Sequence, residues 1–79
     1  MSGILRVRYN PSTMRITLNG QPAQVPDGAT AEQLVELQGL TSTICAVEIN
    51  KSLVPKTDRA KRVIEPDDTI EIVTLVGGG

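Results

Sequence analysis

The sequence predicts an α+β fold, a small mixed sheet gripping one main helix, and three observations predict it. Met14 to Leu18 alternates apolar and polar residues and runs straight into Asn19-Gly20. Thr30 and Gln33 stand three residues apart at the head of an apolar helical stripe. Thr69 to Val76 is dominated by β-branched residues. The first marks a hairpin, the second a helix start and the third a closing strand.

In the hairpin, Met14, Ile16 and Leu18 share one face while Arg15 and Thr17 share the other, as a half-buried strand requires. Asn and Gly tolerate the positive φ that a two-residue turn demands, so Gln21 to Val25 returns antiparallel, with Ala23 and Val25 on one face. Pro26-Asp27-Gly28 ends that strand. Thr30 and Gln33 then suit a capping box, in which each side chain satisfies a free amide of the first helical turn. Ala31, Leu34, Val35 and Gln38 recur at helical spacing, Glu32 and Glu36 point away, and Gly39 stops the helix after about two turns.

Ile44 to Asn50 reads as a third strand, with Cys45, Val47 and Ile49 alternating against Ile44, Ala46 and Glu48. Leu53-Val54 is a short extended piece closed by Pro55. Lys56 to Arg62 is a loop or a single helical turn before Val63 and Ile64 return to the core. Pro66-Asp67-Asp68 is turn chemistry. The final strand runs to Val76, and Gly77, Gly78 and Gly79 follow. The expected organisation is a domain over 14–76, a flexible glycine tail over 77–79 and an N-terminal extension over 1–13. In that extension Leu5, Val7 and Tyr9 either line an extra strand or leave the segment disordered.

Composition narrows the chemistry. At 79 residues the chain has room for one domain, since domains run roughly 50–250 residues. Its hydrophobic fraction of 39% and net charge of −1 are those of a chain that folds. With one Tyr and no Phe or Trp, the core is aliphatic and supplies about 3–5 kcal/mol. The absence of His and the single Cys remove an imidazole base, a Cys/His zinc cluster and an intrachain disulfide. An isoelectric point near 5.2 argues against nucleic acid as a general partner. No apolar run approaches the roughly 20 residues that span a bilayer, and Arg6 and Arg8 interrupt any signal-peptide stretch. The expectation is a cytoplasmic protein, monomeric alone, without membrane or nucleic-acid binding, metal or stably bound cofactor.

Four features could carry function. A glycine tail lacks Cβ atoms, so it can thread a narrow channel and present the Gly79 carboxylate to another protein's active site; its bland counterpart is a frayed end or an added linker. Cys45 shares its parity with Val47 and Ile49 and has no basic neighbour in sequence, which favours a buried structural thiol over a nucleophile. Lys51, Lys56, Arg59, Lys61 and Arg62 concentrate five of the eight basic residues in one stretch, either a docking surface or an ordinary solvated face. On the last strand Ile70, Ile72 and Val76 hold one parity and Val73 and Leu75 the other. One helix covers only one face, so one of these two sets forms an exposed docking patch beside the tail; the alternative is that the Leu53 to Val63 connection covers Val73 and Leu75.

The succession M-R-I-T-L-N-G-Q-P, D-G-A-T-A-E-Q-L, A-V-E-I-N, V-P-K, D-D-T-I-E-I-V and terminal V-G-G-G, from Met14 to Gly79, resembles the ThiS family of thiamine-biosynthesis sulfur carriers, which are ubiquitin-like β-grasp proteins. The resemblance implies that Gly79, with Gly78 its diglycine partner, is adenylated by a ubiquitin-activating-type enzyme (ThiF-like) that consumes ATP. The tail then becomes a thiocarboxylate and gives its sulfur to thiazole synthase (ThiG-like). It also implies that the chain is a protein cosubstrate and not an enzyme. Gly77, Gly78, Val76, Leu75, Val73 and Lys56 are the expected partner contacts. The molybdopterin synthase small subunit shares the chemistry and is the alternative, and a plain ubiquitin-like interaction or RNA-contacting module built on the basic stretch is another. Two departures stand out: Asp67-Asp68 replaces the usual Gly-Asp, and residues 1–13 have no counterpart in short family members.

Overall fold

Asn19 and Gly20 both take positive φ, 51° and 83°, so the chain reverses in two residues between β1 (Thr13–Leu18) and β2 (Gln21–Pro26), which pair antiparallel from Thr13↔Pro26 to Leu18↔Gln21. The chain then enters α1 (Ala31–Leu37), whose capping box is complete: the Gln33 amide donates to Thr30 Oγ1 at 3.2 Å and the Thr30 amide donates to Gln33 Oε1 at 2.9 Å. Gly39 ends the helical path at φ +74° with nothing near its Cβ position, so backbone conformation and not crowding calls for glycine there. Ala31, Leu34 and Val35 are buried as expected. Gln38 is not, because it is the C-cap residue and leaves the buried stripe for solvent.

This computed structural model describes residues 12–40 and 44–75. After α1 come β3 (Cys45–Ile49), β4 (Ser52–Leu53), a 3-10 turn (Lys56–Asp58) and β5 (Thr69–Thr74). The described residues make one five-stranded sheet in the order β2-β1-β5-β3-β4. β5 runs parallel to β1 and antiparallel to β3. Asn19 extends the β1–β5 contact into the turn: its amide donates to the Ile70 carbonyl, and its Oδ1 accepts from the Ile72 amide at 2.9 Å.

One face of the sheet packs on α1. Ile16, Leu34, Val47, Ile64 and Ile70 are almost completely shielded from water, and Cys45, Val47 and Ile49 are all buried, as their shared parity requires. Burying a side chain of this size stabilises by about 1.5–3 kcal/mol before entropy is counted. No helix of the described residues is long and apolar enough to cross a membrane.

Three expectations need correcting. Val63 does not return to the core with Ile64: it is 43% exposed, because it forms an isolated antiparallel bridge with Thr30 and the alternation then buries Ile64 alone. The short extended piece falls on Ser52 and Leu53 instead of Leu53 and Val54. They form a second hairpin with β3, turned by Asn50 at φ 53° and Lys51 at φ 70°. Arg59 is not part of a solvated basic face. It is only 7% exposed and lies beneath β3, where Nη2 donates to the Cys45 carbonyl at 2.6 Å and Nη1 stands 3.7 Å from Cys45 Sγ.

The Asp67-Asp68 turn is held by a polar cluster. Asp68 is buried and accepts from Asn50 Nδ2 at 2.9 Å and from the Glu65 amide at 2.8 Å, with Arg62 Nη2 at 3.6 Å. Asn50 Oδ1 in turn accepts from the Thr69 amide at 3.0 Å. Asp67, standing where the resembled family commonly has glycine, adopts φ 69°, a conformation that Asp reaches at lower cost than most L-residues. These bonds set where β5 starts and therefore where it ends.

Candidate functional site

β5 delivers the chain's last residues from the end of the sheet opposite to the start of β1. Its parallel register with β1, Thr17↔Thr69, places Leu75 about 30 Å along the strand direction from Thr13. One hydrogen bond beyond the strand, from the Leu75 amide to the Ile44 carbonyl at 2.8 Å, holds the chain against β3 as it leaves. Val76, Gly77, Gly78 and Gly79, the expected tail and reactive terminus, lie outside the described residues.

The alternation of β5 sends Ile70 and Ile72 inward and leaves Val73 54% and Leu75 51% exposed. The Leu53 to Val63 connection does not cover them. Antiparallel pairing with β3 sets Ala46 opposite Val73, and the Leu75–Ile44 hydrogen bond continues that ladder by one step. Ile44 is 70% exposed and Ala46 half-buried. Ile44, Ala46, Val73 and Leu75 therefore form a continuous apolar patch at the base of the tail, on the face that α1 does not cover. Farther from the tail it gives way to Glu48 opposite Glu71, with Leu53 beside Glu48. Like charges placed directly opposite repel, so this border favours a cationic group above it.

Lys56 is exposed at the start of the 3-10 turn that follows β4, off the patch and beyond the edge strand. Val73 and Leu75 thus come together with Ile44 and Ala46, while Lys56 does not join them. Sequence reasoning grouped Ile44, Ala46 and Glu48 on one strand face but assigned them no role. The signal that finds them is the β3–β5 register, which requires knowing that strands distant in the chain are neighbours.

Of the five basic residues between Lys51 and Arg62, Arg59 is buried and Arg62 is half-buried against Asp68 and the Val63 carbonyl. Only Lys51, Lys56 and Lys61 remain exposed, which weakens the reading of this stretch as a continuous basic surface. Cys45 is a free, buried thiol on a residue paired in the sheet with Thr74, and Arg59 Nη1 stands 3.7 Å from its sulfur. Among the described residues no group of three or more His, Cys, Asp or Glu is placed to hold a metal.

Comparison with known proteins bears on this site. The model of the ThiS family matches residues 7–79, starting upstream of Met14, where the resemblance was expected to begin, and including the glycine tail. "Sulfur carrier protein ThiS" of Escherichia coli is 29% identical over 66 residues, 84% of this chain and 100% of that protein. A "Thiazole synthase" of Magnetococcus marinus is 39% identical over 66 residues, 84% of this chain but 20% of that protein, so the chain spans a fifth of that relative's length. A crystal structure of thiamine biosynthesis protein ThiS from Geobacter metallireducens superposes with a TM-score of 0.71 at 22% identity, covering 84% of this chain and 100% of that one. The shared fold is the ubiquitin-like β-grasp, a mixed sheet holding one helix.

Proposed function

Because the chain belongs to the ThiS family, we propose that it is a sulfur carrier of thiazole formation in thiamine biosynthesis, with the Gly79 carboxylate as its working group. The observation that carries this reading is the family match, which runs through the tail to residue 79. It is supported by the full-length similarity to the E. coli sulfur carrier and by the position of an exposed apolar patch where β5 leads into the tail.

In the proposed chemistry the chain is a cosubstrate and its partners are the catalysts. A Gly79 carboxylate oxygen attacks the α-phosphorus of ATP on a ThiF-like enzyme, forming an acyl–phosphate bond as pyrophosphate leaves. A sulfur nucleophile of the sulfide class then attacks the acyl carbon, AMP departs and a proton is released, leaving a thiocarboxylate. That sulfur is ionised and nucleophilic at neutral pH, and after it bonds to the acceptor, water cleaves the acyl–sulfur bond and restores the carboxylate. Glycines suit a tail that must enter two different active sites, because without Cβ atoms they fit a narrow channel. A ThiG-like thiazole synthase is the proposed acceptor. The similarity to a segment making up a fifth of a thiazole synthase supports that choice, since it connects this fold with that activity in one polypeptide.

The apolar patch is the proposed docking surface, with Val73 and Leu75 at its centre and Val76, Gly77 and Gly78 leading into the partner's channel. Lys56 lies off this patch, and from there an exposed cation acts on encounter more than on affinity.

The decisive experiment is the intact mass of the chain after incubation with ATP, sulfide and a ThiF-type enzyme already proven on another ThiS protein. A gain matching exchange of one oxygen for sulfur, absent when Gly79 is deleted, is the expected result. No gain with the competent activator overturns the carrier reading. Transfer of label from the charged chain to thiazole synthase, and not to the large molybdopterin synthase subunit, is expected to identify the acceptor.

A further inference from the structure

One charged row crosses the uncovered face of the sheet. In segments 44–50 and 69–75 the only Asp, Glu, Lys or Arg residues are Glu48 and Glu71, and the β3–β5 register sets them directly opposite each other. Their Cβ atoms are then about 5 Å apart. Both residues are exposed, and among the described residues neither enters an ion pair. Like charges so placed destabilise a sheet. The fold gains nothing from the pair, since both side chains stand on the face away from α1, where Gln or Thr would serve the strands as well.

The row has apolar borders. Leu53 pairs with Glu48 on one side and is 63% exposed; toward the tail come Ala46 and Val73, then Ile44 and Leu75. A group that settles there is therefore cationic at its head and apolar along its length. We propose that Glu48 and Glu71 together receive one arginine side chain from the docking surface of the activating enzyme, a proposal that rests on the carrier reading above. A guanidinium presents its N–H donors in a flat fork and is weakly hydrated, so it serves both carboxylates at once while its stem lies on Leu53 or Val73. A lysine ammonium is a compact, strongly hydrated point charge and fits less well. A hard metal ion takes more oxygens than two carboxylates provide, and among the described residues no third His, Cys, Asp or Glu joins them.

The position of the row gives the contact a purpose. Glu71 lies four positions before Leu75, about 13 Å along the strand. A tail inserted into a channel fixes the carrier at one point and leaves it free to rotate there. An arginine held at a second point removes that rotation and sets the orientation in which the tail enters. The repulsion between the carboxylates is relieved when the arginine arrives, so the pair weakens the free fold and strengthens the complex.

Those opposite signs are the test. The Glu48→Gln, Glu71→Gln double variant is expected to have a urea midpoint at or above that of the wild type, because the repulsion is gone. Its KM for a competent ThiF-type enzyme of the same organism is expected to rise about tenfold, with kcat little changed and the salt dependence of kcat/KM flattened. The Asp27→Asn, Glu36→Gln variant removes the same charge from two exposed positions outside this face and is expected to keep the wild-type KM. An unchanged KM in the Glu48→Gln, Glu71→Gln variant, an equal rise in the Asp27→Asn, Glu36→Gln variant, or a lowered urea midpoint that places the pair in the fold overturns the proposal and leaves the carrier reading intact. So does a loss confined to sulfur transfer to thiazole synthase, which assigns the cation to that partner instead. A wild-type chain that the enzyme does not adenylate overturns the carrier reading and this proposal with it.

Discussion

The two faces of the β3–β5 pair are built from similar residues and do opposite work. Toward α1, Val47, Ile49, Ile70 and Ile72 are buried. On the other face, Ile44, Val73 and Leu75 are each at least half exposed, with Ala46 between them. Apolar character alone therefore does not say which side of a strand carries the fold. The side with a second layer holds the molecule together, and the side without one stays free for a partner.

That difference can be broken from the inner side first. Ile70→Ala removes a side chain with no solvent exposure at the centre of the sheet and is expected to cost about 2–5 kcal/mol, enough to unfold much of a domain this small at 37 °C. Urea denaturation followed by circular dichroism measures it, and a midpoint equal to wild type would contradict the assigned core. Arg59→Ala comes next. It deletes a buried, charge-assisted hydrogen bond to the Cys45 carbonyl, at an expected cost of about 1.5–3 kcal/mol. If Arg59 were solvated like Lys61, the same substitution would change stability by less than about 0.5 kcal/mol.

Smaller effects sharpen the comparison. Lys51→Gly relieves positive φ at the β3–β4 turn and is expected to raise stability by roughly 1 kcal/mol, read as a higher denaturation midpoint with unchanged slope. Leu75→Asp on the outer face is expected to move stability least, within about 0.5 kcal/mol. Under the proposed function it nevertheless lowers the kcat/KM of the activating enzyme for this chain about tenfold or more, as removal of a central interface anchor does. Loss of the fold in Leu75→Asp would place that residue in the core and remove the distinction between the faces.

The two hairpins show how far the fold was legible. Asn19-Gly20 announced the first because both residues suit the conformation the turn imposes and the flanking strands alternate over several residues. Asn50-Lys51 makes the same kind of turn, but a lysine at positive φ is no signal, and β4 has only two residues to alternate. The strain at Lys51 is accepted because Asn50 is bound on several sides: its side chain reaches Asp68 and the Thr69 amide, and its own amide donates to the Thr69 carbonyl. Those partners lie 18 and 19 residues away, outside the reach of any local pattern. The candidate site divides in the same way. Val73 and Leu75 were visible as the second parity of an apolar strand, while Ile44 and Ala46 joined them only through pairing with a strand some thirty residues distant.

By itself, the sequence determined the first hairpin, the capped start of α1 and the inward parity of Cys45, Val47 and Ile49. Turn conformation, capping and side-chain alternation act between residues a few positions apart. Only the tertiary structure decided that Arg59 is buried beneath Cys45, that Val63 stays outside while Ile64 enters, and that the outer face of β5 has no cover. Each of these depends on which distant segment occupies the adjoining space, and burial is settled by the neighbours that arrive and not by the residue that receives them.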